Sequence, residues 1–306
     1  MGCWTESVPS LRTVGTDPEV CVKRAAAGTS VGDFHPAGIA ASIPEKLRVM
    51  AAHVQILAKI SGSPYAGFMS GIYDDIAPLR GGDDLEQRPT EGSRVPITVI
   101  EPEGNSRGGI VVLHESREFS GALLEFMRAL AIEGWTVVAP NLFHRANGDE
   151  PEHEVFGDEL FDDFDACFDW LTRRGVFPDC IGVLGFDHAG TAAFLVATNR
   201  PIGAAVSIAA AGITEPLTDE AEALVRVAPN LQAPWLGLFG SDDPNTPPAD
   251  VDRLRDAAAR ASVASLVVTY PGPHHRADNP GADDDDSTTA IASQTRIFDW
   301  FDSNLR

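Results

Sequence analysis

The sequence predicts an α/β fold, a mostly parallel sheet flanked by helices, preceded by an N-terminal helical extension. Three observations predict it. From residue 94 onward, apolar runs of five or six residues alternate with stretches whose apolar residues recur at helical spacing. The run Gly109-Ile110-Val111-Val112-Leu113 is apolar throughout, as in a strand covered on both faces. The 306 residues are 43% hydrophobic, with 15 Phe and 5 Trp, enough to fill one large core.

In chain order, residues 1–41 mix Gly, Pro, Ser and charge without a period. Ser42 then caps a helix, with Pro44 in its first turn and Glu45 three residues after the cap. Leu47, Met50, Val54 and Leu57 give that helix one apolar face, and Ser61-Gly62-Ser63-Pro64 ends it. Asp83 to Glu86 reads as an exposed connector. The expected division is therefore an extension over 1–90 and a main domain over 91–306. The apolar face of the first helix suits a lid over a pocket, or self-association into a homo-oligomer.

Val95 to Ile100 predicts a strand, Gly109 to Leu113 the next, and Leu123, Met127 and Leu130 a helix closed near Gly134. Trp135 to Ala139 follows as a strand. Leu160, Phe161, Phe164, Phe168 and Leu171 then mark the inward face of a long helix. Strands at 180–184, 203–209, 234–239 and 265–269 alternate with helices at 189–198, 248–261 and 287–303. Asp283 to Asp286 is expected to be a solvated approach to the last helix.

Charge narrows the partners. Asp and Glu number 45 against 23 Lys and Arg, a formal net charge of -22. Such a field repels nucleic-acid phosphates and anionic membranes, so neither is an expected partner. No run of apolar residues approaches membrane-spanning length, and no basic, apolar leader opens the chain. A soluble, cytoplasmic protein with a small-molecule ligand is expected. Cys3, Cys21, Cys167 and Cys180 form no metal or disulfide pattern. The acids and histidines between His144 and Glu154 lack HExxH spacing, so no metal is expected. No nucleotide-binding glycine motif is present, and no cofactor is expected.

Ligands of an open parallel sheet bind beyond the C-terminal strand ends, and four features fall there. Gly185-Phe186-Asp187-His188-Ala189-Gly190 joins an apolar strand to an apolar helix, with small residues where a tight turn needs them. Asp243 follows another strand, and His275 the last one. Glu115 closes the strand Gly109 to Leu113. The order elbow residue, acid, histidine is that of a hydrolytic triad, with Asp187 where Ser or Cys is usual.

These motifs make residues 94–303 resemble the dienelactone hydrolase family of α/β-hydrolases. Gly109 through Glu115 matches the strand ending in that family's active-site glutamate. Ala139-Pro140-Asn141-Leu142-Phe143-His144-Arg145 matches its proline-to-arginine loop, which implies that Arg145 binds a substrate carboxylate. Tyr270-Pro271-Gly272-Pro273-His274-His275 matches the segment bearing the triad histidine, and Asp243 the triad aspartate. The resemblance implies hydrolysis of a small ester or lactone, anionic substrates included. The chain departs from the family at the elbow, where Asp187 replaces the cysteine and Ala189 a glycine.

That departure leaves three readings open. Asp187 works beside Glu115 as an acid or base, their like charges retaining a proton, while His275 and Asp243 activate water. Alternatively, Asp187 attacks an sp³ carbon, as in the epoxide hydrolases and haloalkane dehalogenases, although those families usually place Trp where this chain has His188. In the third reading the scaffold is catalytically silent and binds a ligand or partner. His188, Phe119, Phe143 and Phe186 are the further candidates for lining the pocket.

Overall fold

The computed structural model describes residues 71–80, 94–115, 119–145, 156–271 and 284–305. The expected helix at 42–60, the connector at Asp83 to Glu86, the acids from Asp149 to Glu154, and His274 and His275 lie outside the described residues. Gly67–Arg306 forms one compact unit.

Its elements are β1 (Ile72–Pro78), β2 (Arg94–Ile100), β3 (Gly108–Leu113), α1 (Gly121–Ile132), β4 (Trp135–Pro140), α2 (Asp158–Arg173), β5 (Ile181–Phe186), α3 (Asp187–Asn199), β6 (Ala204–Ile208), α4 (Leu224–Val227), β7 (Trp235–Gly240), α5 (Pro248–Ala258), β8 (Ser265–Tyr270) and α6 (Asp284–Asn304). The eight strands run in the order β1-β2-β4-β3-β5-β6-β7-β8. β2 is antiparallel to both neighbours, and every pair from β4 to β8 is parallel.

Every residue of β3, β4, β5, β6 and β7 is buried, which explains their continuous apolar spelling. Helices cover both faces. A side chain at Gly109 would press on Leu171 of α2, whereas one at Gly182 would press on Phe301 of α6. Ile110, the neighbour of Gly109, stands in register with Gly182. The two glycines therefore face opposite sides of the sheet, and α2 and α6 with them. Phe126 of α1 and Phe298 of α6 meet with ring centroids 6.3 Å apart, joining these helices on one face. α1 starts at Ser120, whose hydroxyl accepts the Leu123 N–H at 3.0 Å.

β1 falls inside the stretch expected to be an extension, yet it pairs along its full length with β2. The sheet therefore begins well before residue 91. Its mixed spelling, Ile72-Tyr73-Asp74-Asp75-Ile76-Ala77-Pro78, follows from its edge position, where only Ala77 is fully buried. Side chains rivet it to α2. Asp75 accepts from Trp170 Nε1 at 3.0 Å and from Arg174 at 2.9 Å. Just beyond the strand, Arg80 donates to Asp165 at 2.6 Å and to Asp169 at 2.8 and 2.7 Å.

Candidate functional site

β5 delivers the centre of the site. Its last residue passes straight into α3, and the turn forces Asp187 into the left-handed region at φ 53°. A non-glycine residue there is strained, and such strain persists where the surroundings fix it. The flanking glycines do the fixing. A Cβ at Gly185 would collide with the Ala189 carbonyl, and one at Gly190 would lie 2.7 Å from the Ile208 oxygen. Asp187 is thus presented at the C-terminal end of the sheet's centre, where β5 runs between β3 and β6.

Glu115 reaches the same place from the end of β3. Its carboxylate accepts the Ala189 N–H at 3.0 Å, within the first turn of α3. The His188 N–H also bonds to it, and the His188 ring nitrogen Nδ1 stands 4.0 Å from the same oxygen. Burial raises the Glu115 carboxyl above its ordinary range even though 37% of the side chain meets solvent. The charge of Asp187 adds to the rise, against the lowering pull of His188 and the two N–H groups. Glu115 and Asp187 therefore feel each other's charge.

Asp243 stands on the turn after β7. Its carboxylate accepts the Asn245 N–H at 2.8 Å and the Thr246 hydroxyl at 3.0 Å, so the turn itself fixes its orientation. Glu115, Asp187, His188 and Asp243 line one open cleft of about 650 Å³. The opposite wall is the segment from Ala209 to Leu217 after β6, with Asn245 and Asp250 closing the rim. Ala209, like Asp187, is left-handed, at φ 53°. Sequence reasoning missed this wall, because Ala209-Ala210-Ala211-Gly212 carries no reactive side chain to flag it.

The remaining candidates stand elsewhere. Arg145 donates twice to the buried Asp163, at 2.9 and 2.7 Å, and His144 shares that carboxylate at 3.2 Å. Phe186 packs edge-on against Phe126 in the core, with centroids 5.6 Å apart. Phe143 is buried, and Phe119 lies half-buried on the His114 ring at 4.5 Å. None of these four is among the described residues lining the cleft. Asp163 was missed too, since its partnership with a residue 18 positions away leaves no mark in the sequence.

A sequence profile of the dienelactone hydrolase family matches residues 95–305. The chain belongs to the dienelactone hydrolase family. The family member's fold is the α/β-hydrolase fold, with the strand order given above. A Salmonella typhimurium protein provisionally named carboxymethylenebutenolidase is 27% identical over 232 residues, covering 70% of this chain and 84% of the relative. The crystal structure of a provisionally named dienelactone hydrolase from Klebsiella pneumoniae superposes with a TM-score of 0.61 at 22% identity, covering 76% of this chain and 98% of that one. A dienelactone hydrolase-like promiscuous phosphotriesterase from metagenomic libraries gives 0.54 at 19% identity, covering 76% and 99%. At these identities the structural likeness speaks to the fold. In coarse class the chain is a dienelactone hydrolase-like hydrolase. Among the described residues, no helix is long and apolar enough to cross a membrane.

Proposed function

We propose that the chain hydrolyses a small ester- or lactone-like molecule in this cleft, with Asp187, His275 and Asp243 at its centre and Glu115 assisting. The observation that carries the reading is the strained backbone of Asp187, a carboxylate held where an elbow presents its reacting side chain. The names of the relatives, which concern lactones, support a carbonyl substrate.

Thiolate chemistry is not open to an aspartate, and a carboxylate attacking an ester carbonyl would give a mixed anhydride. The acid–base route avoids that species. His275, oriented by Asp243, takes a proton from water as its oxygen adds to the carbonyl carbon. The oxyanion that forms is stabilised by the first N–H groups of α3, once the substrate oxygen replaces the Glu115 carboxylate there. The carbon–oxygen bond to the leaving group then breaks. Its alkoxide takes the proton that Glu115 and Asp187 hold between them, and the His275 imidazolium restores that proton.

The test is turnover of a panel of lactones and aryl esters by wild type and by Asp187→Ala, with one round run in ¹⁸O-labelled water. Loss of turnover in the variant, with label in the product acid and none in the protein, is the expected result. Label retained in the Asp187 peptide would mean covalent attack and redirect the search to epoxides and haloalkanes. Equal turnover by both proteins would overturn the proposal.

A further inference from the structure

We infer that two copies of this chain pair through the outer edge of β8, antiparallel about a two-fold axis at Val267, so that their sheets join into one. β8 ends the sheet, with β7 on one side and no described strand on the other. Two bonds fix the phase of its backbone. The Ala264 carbonyl accepts the Trp235 N–H at 2.9 Å, and the Tyr270 carbonyl accepts the Ser241 N–H at 2.8 Å. Positions 264, 266, 268 and 270 therefore turn their backbone groups to β7, while Ser265, Val267 and Thr269 turn theirs outward.

The two edges of the sheet are spelled in opposite ways. β1 carries Asp74, Asp75 and Pro78, residues of the kind that turn away an added strand. β8, Ser265-Leu266-Val267-Val268-Thr269-Tyr270, is uncharged and rich in residues that favour strands. No Asp, Glu, Lys or Arg occurs from Ala261 to Pro273, in a chain whose formal net charge is -22. Two such chains repel each other, and an uncharged strip is where they can meet. A charged partner would find nothing on this strip to hold it, whereas a second copy matches it.

Opposed to itself about Val267, the strand is self-complementary. Val267 stands opposite its own counterpart and Ser265 opposite the counterpart of Thr269, each pair exchanging two backbone hydrogen bonds. Leu266, 36% exposed in the single chain, then meets the counterpart of Val268. Apolar pairs of this kind across neighbouring strands stabilise a sheet. The Tyr270 hydroxyl donates to the Ala292 carbonyl of α6 at 3.3 Å, so Leu266 and Val268, alternating with Tyr270, share the face of that helix. Ile291, next to Ala292, is 41% exposed and adds an apolar flank.

Sedimentation velocity of the full chain over a dilution series tests the pairing, together with hydrogen exchange of the β8 peptide read by mass spectrometry. A species of twice the chain mass is expected at high concentration, and exchange within β8 should quicken as dilution dissociates it. Val267→Pro removes an outward N–H and no bond to β7, while Leu266→Asp sets a charge against an apolar residue and leaves the backbone intact. Each should weaken the dimer at least about tenfold without altering the circular dichroism. Raising salt from about 0.02 to 0.5 M should tighten the dimer, because screening relieves the repulsion between copies. A chain that stays single at about 200 μM would overturn the inference. So would a dimer that Leu266→Asp leaves at full strength, which would put the contact elsewhere, the helix expected at 42–60 included. A dimer loosened by salt would count equally against it. Slow exchange in β8 that dilution does not change would mean that the chain's own residues cover the edge, and would also overturn it. If the proline variant fails to fold, Leu266→Asp carries the test.

Discussion

Two groups of carboxylates in this protein are treated in opposite ways. Along α2, Asp163 takes Arg145 and His144, while Asp165 takes Arg80 and Arg200. At the elbow, the Glu115 carboxyl feels the like charge of Asp187, and it takes backbone N–H groups and His188 rather than an arginine in the bonds described above. The α2 carboxylates are the more deeply buried, with 2% and 9% of their side chains exposed. Burial alone therefore does not single out the carboxylates proposed to react. A matched charge fastens a helix to its surroundings, whereas a carboxyl whose pKa is raised by burial and by a like charge suits the proton exchange proposed above.

Exchanging the two behaviours is the sharpest way to break this comparison. Asp187→Ala should lower turnover of the best ester by at least about 10³-fold while leaving the denaturation midpoint within experimental error of wild type. A variant that unfolds more easily instead would make Asp187 an anchor. Asp163→Ala should do the converse. Removing it strands a partly buried guanidinium and costs about 3 kcal/mol in urea denaturation, the low end for breaking a buried pair. A loss under about 1 kcal/mol would mean that Arg145 finds another partner at once.

Asp187→Gly separates strain from chemistry. Glycine accepts the left-handed backbone freely, so this variant should gain about 1 kcal/mol of stability and lose its activity. The smallest effect concerns pH. The folded Glu115 carboxyl binds its proton more tightly than the unfolded one, so the folded state holds more protons in the interval between their pKa values. Stability therefore falls as pH rises from the ordinary Glu range through the raised folded value. Glu115→Gln should flatten that part of the stability profile, measured by denaturation between about pH 4 and 8.

Much of the sheet was legible because strands covered on both faces must be spelled almost entirely with apolar residues, as Gly109 to Leu113 is. β1 was not, since an edge strand with exposed Tyr73, Asp74 and Ile76 obeys no such rule. α4 escaped for another reason: four residues are too few to display a helical period. The elbow was legible from glycine spacing, because carbonyl oxygens of Ala189 and Ile208 leave no room for a Cβ at 185 or 190. The fate of Arg145 was not legible. A loop motif records that an arginine is present, while Asp163 on the following helix decides whether its charge reaches a ligand.

The edge strand has a consequence for anyone trimming this protein. β1 masks the outer hydrogen-bonding rim of β2, and Asp75 and Arg80 hold it against Trp170, Asp165 and Asp169. A recombinant fragment starting at residue 91 would uncover a β2 rim ready to pair with another molecule and would strip Asp165 of one of its two arginines. Such a fragment is expected to precipitate, which places any practical cutting point ahead of β1.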